Sequence, residues 1–226
     1  MNTLWCFGDS FTAGHGCKPG DEYYEYIDNR DSKIWPEILA TELQVTLRNK
    51  GIRGSSNSYI LKELLSNLTK FKKKDTVIIS DTLPIRTNTY SSHLTDIAPL
   101  TTEALTNIYN KDRDYVKFGF FKNHNEQKLY LEYISTFILP YEKYWGKYYL
   151  DQIFNTIDFL NTQNIQTYFW SHKVWTGEQP LYRRIVDDTS GKIKDNHWSF
   201  AGHQDFSSYL LERIKTKEYY YKAPLI

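Results

Sequence analysis

The chain has 226 residues, of which 40% are hydrophobic, 16% aromatic and 24% charged, with a formal net charge of +1 at pH 7. That much apolar surface offsets the entropy of ordering and excludes a disordered chain, while a near-neutral balance excludes a general field for nucleic acid or an anionic membrane. No run approaches the roughly 20 apolar residues of a membrane span, and the N-terminus lacks a basic-then-apolar leader, so no signal peptide and a cytoplasmic location are expected.

The length suits one domain over 1–226 with a single long insertion. Thr3-Leu4-Trp5-Cys6-Phe7 is a short apolar run that reads as a buried strand, followed by a loop containing Gly14, Gly16 and Gly20. Cys6 in the strand and Cys17 in the loop read as one buried thiol and one loop thiol rather than a disulfide. Trp35, Ile38, Leu39 and Leu43 form a helical stripe with Pro36 in its first turn, and Gln44 to Asn49 alternates like a strand. Ser55, Ser56 and Asn57 are good caps for a helix carrying Ile60, Leu61, Leu64, Leu65 and Leu68. The basic run Lys70 to Lys74 falls at that helix's end, where cations suit the dipole, and reads as a solvated face.

Thr76 to Ser80 is β-branched and apolar throughout, as expected of a strand covered on both faces. The stretch from Thr87 to about Gly146 fits no unit of the alternation. It reads as an aromatic-rich insertion at about 87–146, helical after Asn125, packed beside the sheet. A helical stripe over Leu150 to Leu160, a strand at Ile165 to Trp170, a polar loop from Asp187 to Trp198 and a last helix with Phe206, Leu210 and Ile214 complete the chain. The expected fold is a flavodoxin-like three-layer α/β/α arrangement with about four or five parallel strands, in which ligands sit at the carboxyl ends of the strands.

The loop after the first strand, Gly8-Asp9-Ser10-Phe11-Thr12-Ala13-Gly14, meets neither phosphate-loop spacing. A flavin-phosphate loop using Ser10 and Thr12 and a nucleophile loop using Ser10 remain. A serine needs a base, and Asp195-Asn196-His197 leads into the last helix at the same expected edge of the sheet.

With these segments, Gly54 between them and Gly202-His203 after them, the sequence resembles the SGNH hydrolases, or GDSL-type lipases and esterases, across nearly the whole chain outside the insertion. It is most similar to short bacteriophage-encoded members. The resemblance implies that Ser10 is the nucleophile and an oxyanion donor, that Gly54 gives the second oxyanion donor, that His197 is the general base and that Asp195 orients it. The Asp-x-His spacing is shorter than the Asp-x-x-His of many members, and Asp187 and Asp188 are further candidates for the acid. The family's third-block asparagine is missing from Ser80-Asp81-Thr82-Leu83-Pro84-Ile85-Arg86-Thr87-Asn88; Thr82, Arg86 or Asn88 are the candidates to replace it. Loss of one oxyanion donor costs on the order of 100-fold to 1000-fold in rate.

The expected function is therefore hydrolysis of an acyl ester, such as an O-acetyl group on a carbohydrate, through a Ser-His-Asp triad and an acyl-enzyme. Arg86 and Trp198 are candidate substrate contacts. The alternative is a weak or inactive binding or structural protein of this fold, such as a phage virion component in the host cytoplasm. No cofactor and no metal are expected, since no compact spacing such as His-x-x-x-His occurs; the expected partners are a small-molecule or carbohydrate ester or a virion assembly, with no nucleic acid and no membrane. His203 reads as structural. His15, His93, His124 and His172 have no partner evident in the sequence.

Overall fold

The computed structural model describes residues 2–21, 24, 33–82, 87–90, 97–100, 123–133, 135–136, 139–171, 184–186 and 192–217. In chain order its elements are β1 (Thr3–Phe7), α1 (Ser10–Ala13), α2 (Trp35–Glu42), β2 (Thr46–Asn49), α3 (Asn57–Ser66), β3 (Thr76–Ser80), β4 (Thr87–Tyr90), β5 (Ile97–Leu100), α4 (His124–Tyr133), α5 (Glu142–Thr162), β6 (Gln166–Trp170), β7 (Arg184–Val186), β8 (Ile193–Trp198) and α6 (Phe200–Thr216).

Successive side chains of a strand point to opposite faces, and β1 is apolar on both: Leu4 and Cys6 face one layer, Trp5 and Phe7 the other, all buried. Such a strand needs helices above and below, which is the parallel α/β solution. The sheet is fully parallel in the order β2-β1-β3-β6, with Trp5 beside Arg48 and Val77 and with Ile78 beside Tyr168. One face packs Leu4, Ile78, Tyr168 and Trp170 against Trp35 and Leu39 of α2 and Phe206 and Leu210 of α6. The other packs Trp5, Phe7, Val77 and Ile79 against Ile60 and Leu64 of α3 and Ile153 and Ile157 of α5. Each such burial stabilises the fold by about 1.5–3 kcal/mol. Asp75, 2% exposed, ties the amino ends of β1 and β3 by accepting from Thr3 N at 2.9 Å, Trp5 Nε1 at 3.2 Å and Lys72 N at 3.0 Å. Its charge is buried at low cost because both oxygens are hydrogen-bonded.

Two sequence expectations change and a third is extended. The polar segment ending at Trp198 is a strand over Ile193–Trp198, paired antiparallel with β7 through two irregularities in register. It has no apolar run because an antiparallel hairpin needs only one covered face. Cys17 lies in the loop as expected but is buried there: it is 6% exposed, packs with Ile34, Ile185 and Phe200, and donates to Trp198 O at 3.4 Å. Burial pushes that thiol up to about 12, with Glu37 adding to the rise and Lys18 opposing it. The helix after the insertion begins at Glu142, well before the Leu150 stripe, because its first turns carry exposed Tyr144, Trp145 and Tyr148 instead of a core-facing face. Within 87–146, β4 pairs antiparallel with β5 and α4 begins at His124; Phe118, Phe120, Phe121 and Phe137 lie outside the described residues.

Candidate active site

Strand β1 ends at Phe7 and the chain turns into α1 with Ser10 as its first residue. Asp9 caps that helix. Its Oδ1 accepts from Phe11 N at 3.1 Å, its Oδ2 accepts from the Thr82 hydroxyl at 2.9 Å, and its side chain is sealed from solvent. Gly14 ends α1 in the left-handed region at φ 74°, and the amides of Gly14 and His15 both donate to Ser10 O. As the first residue of α1, Ser10 has its N–H among those that a helix N-terminus leaves without an intrahelical acceptor, where developing negative charge is favoured.

The loop after β2 is laced to this turn. Asn49 Nδ2 donates to Thr12 O at 2.8 Å, Ile52 N to Gly8 O at 3.1 Å, and Ser55 Oγ to Gly8 O at 3.0 Å. A Cβ on Gly51 would lie 2.6 Å from Ala13 N and 2.8 Å from Thr12 C, so only glycine permits this approach of two backbones. Gly54, half-buried with φ at 65°, lies in the same loop between the two residues bonded to Gly8. Arg53 pairs with Asp21, whose Oδ2 accepts from Gly16 N at 2.8 Å, which joins this loop to the glycine-rich one.

Asp195 and His197 stand two apart on β8, so the strand presents both on one face and turns Trp198 to the other. His197 Nε2 lies 2.7 Å from Ser10 Oγ, and His197 Nδ1 lies 2.6 Å from Asp195 Oδ1, which also accepts from His197 N at 3.1 Å. A carboxylate can only accept, so Nδ1 carries the imidazole proton and Nε2 faces the serine hydroxyl with its lone pair. Partial burial by itself raises the Asp195 carboxyl, but hydrogen bonds from the His197 ring and amide, with the charges of His197 and His15, outweigh it and hold the group below the usual carboxylate range. The His197 ring sits between Phe11, with centroids 4.8 Å apart, and His15, at 4.4 Å. His15 Nε2 is 3.6 Å from Asp195 Oδ2.

The fold thus brings Ser10, Asp195 and His197 together from the two ends of the chain. It places other candidates elsewhere. Thr82 is not aimed at a substrate: it is 3% exposed, its hydroxyl donates to Asp9, and its amide donates to Asn57 Oδ1 at 2.9 Å, so both of its donors brace the loop. Trp198 is a core residue, 1% exposed, with ring centroids 4.8 Å from Phe206 and 5.0 Å from Phe11, and no face is open for a sugar. His203 is also structural: its Nδ1 accepts from Trp35 N at 3.3 Å, and burial, aided by the charge of His197, pushes it down to about 3. Arg86, Asp187 and Asp188 lie outside the described residues, as does the side chain of Asn88, whose backbone belongs to β4. His15 is the neighbour that sequence reasoning missed. It lies five residues beyond Ser10, and only the left-handed turn at Gly14 folds it back onto β8.

No protein-family model and no curated protein matches the sequence. Among solved structures the chain is similar to a member of the lipolytic protein G-D-S-L family from Veillonella parvula, at 15% identity over 95% of this chain and 99% of that one, with a TM-score of 0.38. It is similar to a catalytic mutant of an acetylxylan esterase from Geobacillus stearothermophilus, at 14% identity over 94% of each chain, with a TM-score of 0.39. A carbohydrate esterase is matched at 15% identity over 95% of this chain and 68% of that one, with a TM-score of 0.41.

Proposed function

We propose that this chain is a serine ester hydrolase of the SGNH type. The carrying observation is the continuous line from Ser10 Oγ to His197 Nε2 at 2.7 Å and from His197 Nδ1 to Asp195 Oδ1 at 2.6 Å. Ser10 Oγ attacks the ester carbonyl while its proton passes to His197 Nε2. The C–O bond then breaks, the same proton goes to the departing alcohol, and the acyl group stays on Ser10 until water, deprotonated by His197, releases it as the carboxylic acid. Asp195 keeps the proton on Nδ1 and stabilises the imidazolium. The amides of Ser10 and Gly54 are the proposed oxyanion donors, and Thr82 is withdrawn from that role by its bonds to Asp9 and Asn57. A short acyl group such as acetyl on a carbohydrate hydroxyl is the substrate class proposed.

The engagement of Thr82 favours one second reading, a slow or inactive binding or structural protein that retains the fold. A fluorophosphonate probe separates the two. Covalent modification that disappears in Ser10→Ala, with hydrolysis of p-nitrophenyl acetate, is expected for the enzyme. A folded protein that stays unmodified and leaves the ester intact is the result expected of the structural reading, and would sink the esterase one.

A further inference from the structure

His15 has no part in the proposed chemistry, yet it stands against the group that the chemistry needs. Among the described residues, His15, Asp195 and His197 form the one cluster of three possible ligand side chains, and their ligand atoms, one from each, all lie within 4.8 Å of one another. Their side chains are 21%, 13% and 21% exposed, enough to admit a small ion and little enough to strip part of its water. The 3.6 Å between His15 Nε2 and Asp195 Oδ2 is close to the roughly 3.3 Å separating two ligands of a tetrahedral ion with bonds of about 2.0–2.1 Å. Two imidazoles and a carboxylate suit Zn2+ and its neighbours, with a fourth position left for water. Backbone bonds already hold the donors: His15 N to Ser10 O at 2.9 Å, and the other two on a paired strand.

From this juxtaposition we infer that His15, Asp195 and His197 bind Zn2+ or a similar divalent ion, and that the bound ion switches the Ser10 centre off. The second half rests on the esterase reading, and the first does not. The ion displaces the proton from His197 Nδ1 and takes that lone pair, with Asp195 binding it through Oδ2, so that the 2.6 Å contact between Nδ1 and Asp195 Oδ1 is lost. The displaced proton passes through solvent to Nε2, so the imidazole stays neutral and no proton is lost or gained overall. Nε2–H then donates towards Ser10 Oγ instead of accepting its proton, and the base is gone.

Co2+, titrated into the full chain, is the probe, because its visible absorption reports four-coordinate binding whether or not the protein hydrolyses anything. One ion per chain is expected, displaced by Zn2+, with affinity lowered more than about 10-fold in His15→Gln and in Asp195→Asn, each checked for folding by circular dichroism. Zn2+ is expected to block fluorophosphonate modification of Ser10 in the wild type, a chelator to restore it, and His15→Gln to remain labelled at the same Zn2+ concentration. Absence of the Co2+ bands from the wild type, or bands undiminished in both variants, overturns the site. Bands that depend on these residues in a protein never labelled at Ser10 uphold the site and sink the esterase reading instead.

Discussion

A serine hydroxyl is a poor nucleophile until a neutral imidazole accepts its proton, so in the proposed reaction the tautomer of His197 governs Ser10. Asp195 fixes that tautomer through the 2.6 Å contact with Nδ1. Asp195→Asn removes the charge and the fixed acceptor and is expected to lower kcat on the order of 10^4-fold while leaving the fold and KM nearly unchanged, as steady-state kinetics would show. The pH profile follows from the same pair. Because the Asp195 carboxyl is held below the usual carboxylate range, it stays ionised on mild acidification, and kcat/KM is expected to fall along a one-proton limb set by the proposed base. A limb of slope two, with the protein still folded, would contradict the assignment.

At the level of elements, a one-turn helix of four residues could not hold the proposed nucleophile in place by itself. Its rigidity comes from neighbours, since the loop after β2 bonds to Gly8 and Thr12 while Asp9 and Thr82 brace it from beneath. Gly51 is where this support is most sensitive, because an added Cβ meets backbone atoms of α1 that cannot swing aside. Gly51→Ala is expected to destabilise the protein by about 1–3 kcal/mol in urea unfolding and to slow Ser10 labelling well beyond the fraction unfolded. Equal loss of stability with labelling unaffected would show that this loop does not position the nucleophile. The Asp-x-His spacing also finds its reason here, since two residues on a strand share a face, whereas the same pair on a helix would diverge.

Across the whole molecule, His203 joins two helices on one side of the sheet, through its bond to Trp35 N and its packing on Trp198. Its ring stays neutral in the folded protein until about pH 3, while the unfolded chain takes up that proton near 6.5. Between those values the unfolded state binds more protons, so stability falls as pH drops through the window, by up to about 1.4 kcal/mol per pH unit. The urea midpoint of the wild type is expected to decline over this range more steeply than that of His203→Asn. Parallel declines would show that other groups govern acid unfolding.

What the sequence settled by itself was local and periodic. The apolar runs Thr3–Phe7, Thr76–Ser80 and Ile165 to Trp170, the stripes of α2 and α3 and the capping residue Ser56 follow from side-chain spacing and backbone chemistry, which are written in neighbouring residues. Ser10 and His197 could be named as a pair because their segments resemble those of a known family and the two ends of the chain were expected to converge on one edge of the sheet. The tertiary structure decided the rest. It made a strand of Asp195 and His197, buried Trp198 and Cys17, engaged Thr82 beneath the loop and brought His15 to Asp195, because each of these outcomes depends on which distant surface meets the residue, and contacts between remote segments leave no period in the chain.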